Sequence, residues 1–103
     1  MDKKIYVLAT VNSFDNGTTT LLDHFSDFKD AKSIAISNAA AQKKIEGESF
    51  VSEWVHDEEA CKMARYSVPA FQFNQPLFMI ETTGSWKDET IKTYRAVFEY
   101  ELH

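Results

Sequence analysis

The chain has 103 residues, 44% of them apolar and 14% aromatic, enough for a single domain (residues 1–103) that buries its own core. The net charge of −5 argues against a general nucleic-acid binder, which needs a basic stripe to release counterions. One cysteine rules out an intrachain disulfide and fits a reducing, cytoplasmic compartment.

The first fourteen residues carry two lysines and then an apolar run, in the manner of a secretory leader. The run Ile5–Ala9 is too short for that, and polar Thr10 and Asn12 follow it. Residues 4–14 read instead as a strand. Ile5, Val7, Ala9 and Val11 fall on one face and Tyr6, Leu8 and Phe14 on the other. Both faces are apolar, so cover on both sides is expected. Asn16-Gly17 predicts a hairpin turn, with a return strand over 18–25. A two-residue turn there sets Val11 opposite Leu22 and Ala9 opposite His24.

A helix is predicted over 27–45, capped by Ser26 or Asp27 and stopped by Gly47. Its expected buried arc holds Phe28, Ala31, Ile34, Ala35, Ala39, Ala41 and Ile45. The many alanines predict close approach to a sheet, and Ile36 and Ala40 lie off the arc. Residues 49–56, SFVSEWVH, are ambiguous: they read as a strand because Val, Phe and Trp favour one, with the front half of one helix reaching to Tyr66 as the alternative. A short helix follows from Asp57 to Tyr66, ended by Val68-Pro69. Its expected buried side is Ala60, Cys61, Met63 and Ala64. In 70–83, Pro76 makes the first half loop or edge and leaves the second half as strand. A turn over 84–89 and a last strand over 90–102 complete the chain. On that strand Tyr94, Ala96, Phe98, Tyr100 and Leu102 share a face, and Arg95, Glu99 and Glu101 point the other way. The order is β-β-α-β-α-β-β, an α+β domain with a mainly antiparallel sheet of two hairpins and one long and one short helix.

Residues 46–61 hold six acids and no lysine or arginine. Three of those acids, Asp57, Glu58 and Glu59, stand between His56 and the lone Cys61, so the stretch invites a catalytic or metal-binding reading. Helix chemistry accounts for it more simply. Asp57 caps, and Glu58 and Glu59 occupy the first turn, where the dipole favours negative charge by about 0.3–1 kcal/mol each. Cys61 reads as a small core residue. Gly17, Gly47 and Gly84 are all claimed by turns, which leaves none for a phosphate-cradling loop. No metal or cofactor is expected, since the chain has no zinc-ligand spacing.

The aromatic residues read either as rings that seal the open side of the sheet or as a recognition surface. Tyr66, Phe71, Phe73 and Phe78 are interleaved with Asn74, Gln75 and two prolines, and Trp86 sits in a polar turn sequence. The expected function is a small protein-binding or regulatory module with no catalytic activity. Its partner-binding residues would be Trp86, Phe71, Phe73, Glu53, Glu58 and Glu59. The partner is another protein, and neither nucleic acid nor membrane is contacted directly. One variant is an acidic inhibitor that occupies the basic groove of a nucleic-acid-binding protein. Another is a homodimer through a sheet edge or the aromatic surface. Two other classes remain as expectations: a small-molecule binder with a pocket lined by Tyr and Trp, and an enzyme using Cys61 or His56.

Overall fold

The computed structural model describes residues 3–14, 17–68, 71 and 75–102. Five strands, β1 (Lys3–Phe14), β2 (Gly17–Phe25), β3 (Phe50–His56), β4 (Phe78–Trp86) and β5 (Glu89–Leu102), form one antiparallel sheet in the order β2-β1-β5-β4-β3. Helix α1 (Phe28–Glu46) covers one face, and helix α2 (Glu58–Ser67) lies on the other. The α+β class and the element order are those the sequence predicts. No helix among the described residues is long and apolar enough to cross a membrane.

The two-sided β1 explains this layering. Leu8 packs with Ala31, Ala35 and Ala39 of α1 and with Phe78, Ile80 and Val97. Ala9 and Val11 pack on the opposite face with Cys61 and Ala64 of α2, Val68, Phe71, Met79, Ala96 and Phe98. The sheet is thus the middle layer between two small cores.

Several local details differ from expectation. In the first hairpin Phe14 pairs with Gly17, so Val11 faces Thr20 and Ala9 faces Leu22. Gly17 opens β2 instead of occupying the turn, and residues 15–16 lie outside the described residues. The register slips by two, so every side chain keeps its predicted face. Helix α1 buries a narrower stripe than predicted. Ala31, Ala35 and Ala39 are fully buried, whereas Ala41 is exposed, Ile34 is 40% exposed and Ile45 is 85% exposed. An alanine stripe brings the helix axis near the sheet, and the flanking isoleucines then overhang it. Asp27 caps α1 through a 2.9 Å bond from the Lys29 amide, and Gly47 ends it at φ +54°.

On α2, Met63 is exposed, not buried, because so short a helix offers the sheet only its Cys61–Ala64 side. Val68 is extended, as its place before Pro69 requires. The last turn is tighter than expected. Strand β4 runs on to Trp86, and Lys87 and Asp88 alone turn the chain, both at positive φ (50° and 66°). Gly84 is accordingly a buried strand residue and not a turn residue.

Candidate protein-interaction surface

The acidic segment folds as one edge of the molecule. It supplies the end of α1, a single 3-10 turn (Gly47–Ser49), all of β3, and the start of α2. Strand β3 is terminal in the sheet, paired with β4 on one side only. Among the described residues, its outer backbone edge is therefore open along seven residues. Five consecutive residues, 51–55, are exposed, including Val51 (63%), Trp54 (57%) and Val55 (52%).

Period-two alternation distributes these side chains. Glu53 lies opposite Thr82, on the face that carries α1. Trp54 and His56 lie opposite Glu81 and Met79, on the α2 face. Trp54 stacks on His56 with ring centroids 4.1 Å apart and an interplanar angle of 28°. Beside them opens a cleft of about 430 Å³ walled by Trp54, His56, Met63, Glu81, Lys92 and Tyr94. The His56 side chain is only 8% exposed, and its Nε2 is 3.4 Å from Glu81 Oε1. The pair is too poorly aligned to be a hydrogen bond, and neither ring nitrogen has a hydrogen-bond partner among the described residues. Lys92 Nζ approaches the other Glu81 oxygen at 3.9 Å. Burial, with Glu81 adding, pushes the Tyr94 hydroxyl above its ordinary pKa.

Cys61 stands apart from this cleft. It is 3% exposed, and its Sγ is 4.0 Å from the His56 carbonyl oxygen. Burial, then the Asp57 carboxylate, push its thiol pKa up, the reverse of what an activated nucleophile needs. Asp57 serves the backbone, accepting from the Ala60 amide at 2.8 Å as the N-cap of α2.

Of the residues singled out in the sequence, Glu53, Glu58 and Glu59 are exposed. Glu58 and Glu59 sit in the first turn of α2, each 3.8 Å from Lys62 Nζ. They therefore flank β3 from one face of the sheet while Glu53 flanks it from the other. Phe71 is 2% exposed and meets Phe98 and Tyr94 edge-on at 5.1 and 6.5 Å, so its ring belongs to the core. Phe73 and the side chain of Trp86 lie outside the described residues; Trp86 is the last residue of β4, opposite Glu89. Trp54, Met63, Glu81, Lys92 and Tyr94 were not anticipated. The juxtaposition of Trp54 and His56 follows from strand spacing alone. The approach of Glu81 and Tyr94 depends on long-range register, which no local pattern encodes.

Comparison with protein-family models, curated proteins and solved structures finds no match to this chain.

Proposed function

We propose that the chain is a non-catalytic protein-binding module that takes up an extended, basic segment of another protein along β3. The observation that carries this reading is the open β3 edge, apolar at Val51, Trp54 and Val55, within a segment of six acids and no lysine or arginine. An added strand satisfies the free backbone groups, and its alternate side chains meet the two faces separately. On the α2 face a basic side chain can stack on Trp54 and reach toward Glu81. Glu53, Glu58 and Glu59 form a charged rim on both sides that steers basic partners and repels acidic ones.

Charge also separates this reading from self-pairing. A two-fold pairing of β3 about its middle residue sets Glu53 against Glu53, and like charges directly opposite destabilise a ladder. The acidic inhibitor is a special case of the same surface, with the partner's basic groove presenting the strand or rim it contacts.

Fluorescence titration of Trp54 with short extended peptides of matched length tests the proposal. Peptides alternating Lys or Arg with apolar residues should bind, and binding should weaken as salt rises. Equal binding of acidic and basic peptides, or loss of no affinity on replacing Glu53, Glu58 and Glu59 by Gln, would sink it.

A further inference from the structure

A second cavity, unrelated to β3, lies between the C-terminal half of α1 and the sheet face beneath it. It encloses about 630 Å³ and opens to solvent past Leu21, Ile45 and Ile91. Arg95 and Glu46 both line it. Arg95 comes from β5, one of the three inner strands of the sheet, and is 8% exposed. Strand β5 thus carries a guanidinium into the space under a helix. Its Nη1 makes one long contact to Thr82 Oγ1 at 3.5 Å, and its Nε has no hydrogen-bond partner among the described residues.

Glu46 is the last residue of α1. Its Oε1 accepts from Gln42 Nε2 at 3.2 Å, and its buried Oε2 has no hydrogen-bond partner among the described residues. The carboxylate is seated over Gly84, where a Cβ would come within 2.9 Å of it. Burial disfavours the Arg95 charge and the nearby Glu46 carboxylate supports it, but the two make no direct ion pair. They are linked through Thr82, which donates to Gln42 Oε1 at 3.1 Å, and through Gln42. One groove, lined also by Asp23, therefore holds a buried cationic donor and a buried anionic acceptor without hydrogen-bond partners among the described residues, with Thr82 and Gln42 between them. Burying a polar group without a partner is costly, so a ligand that satisfies both relieves that cost.

We infer that this groove binds a small zwitterion of the free α-amino-acid class, its carboxylate on Arg95 and its ammonium on Glu46. A carboxylate suits the guanidinium fork, and an ammonium offers the donors that Glu46 Oε2 lacks. Leu21, Ile45 and Ile91 at the mouth leave an apolar place for a side chain, and Asn38 and Thr93 add polar contacts along the wall. A simple anion would sit beside the Glu46 and Asp23 carboxylates, and a simple cation would face Arg95.

The test is a titration of the whole protein with the twenty common free amino acids, read by NMR at the Arg95 Nε–H and by melting temperature. At least one should shift that resonance and raise the melting temperature. The amide of that amino acid, which lacks the carboxylate, and its N-acetyl form, which lacks the ammonium, should each bind tenfold or more weaker. Glu46→Gln, a change at a helix end, should lower affinity for the zwitterion tenfold or more while affinity for the N-acetyl form is unchanged. Gly84→Ala, which crowds the Glu46 carboxylate, should weaken the zwitterion in the same direction. No shift with any of the twenty would overturn the inference, as would equal binding of both truncated forms or indifference to Glu46→Gln. A response to chloride or phosphate equal to that of the amino acid would reduce the groove to a generic anion site and also overturn it.

Discussion

At the scale of single residues, two side chains carry most of the account. Trp54 exposes 57% of its surface on an edge strand, and its main contact is the His56 ring. Trp54→Ala should therefore lower the melting temperature only slightly and cost about 2 kcal/mol or more of partner binding. Parallel thermal and binding measurements check this; a large fall in melting temperature would make the ring structural. Cys61 is the opposite case. Its thiol is protonated in a core of Ala64, Val68 and Met79. Its folded pKa lies above the unfolded value, so the folded state holds its proton more tightly. That contribution to stability is full below the ordinary thiol range, about 8.5, and is lost as pH rises above it. Cys61→Ala should shallow the alkaline loss of stability seen by denaturant titration, and thiol labelling of the folded wild type should be slow. The core role of Cys61 was legible from its place between Ala60 and Ala64. The exposure of Trp54 was not, since it depends on the strand's place in the sheet, which local sequence does not set.

At the scale of elements, local signals fixed type and ends well. Asp27, Gly47 and Asp57 lie where capping chemistry places them, and Asp57→Ala should cost about 1 kcal/mol of stability by denaturant unfolding. The narrow stripe of α1 explains a sharper prediction. Ala35 is fully buried beneath a sheet that holds Leu8, Ile80 and Val97 against it. Ala35→Leu should overpack this site and destabilise by about 1–3 kcal/mol, whereas Ala40→Leu on the exposed side should be nearly neutral. Helical periodicity alone marked Ile34 and Ile45 as core. It overreached because it records which residues share a side, not how wide a strip the partner surface can accept. Turn signals were weaker still. Asn16-Gly17 and Gly84 both drew turn assignments, yet Gly17 and Gly84 are strand residues. Gly84 is small because the Glu46 carboxylate occupies the space a side chain would need, a contact between residues 38 positions apart in the chain.

At the scale of the whole molecule, topology makes the surface. The order β2-β1-β5-β4-β3 leaves β2 and β3 as edges and places the acidic segment at one of them. The sequence alone revealed the acidic block and the layer class, but not that the block would frame an open strand, because strand order is a long-range property. Like-charge opposition at Glu53 predicts a monomer by sedimentation at low salt, with any self-association appearing only as salt screens the acids. The claim that β3 is the binding edge is tested most directly by amide hydrogen exchange, with and without a bound basic strand-forming peptide. The account predicts new protection at backbone amides within residues 50–56, lost at high salt together with the peptide. Protection confined to β2, or to residues on neither edge, would contradict it.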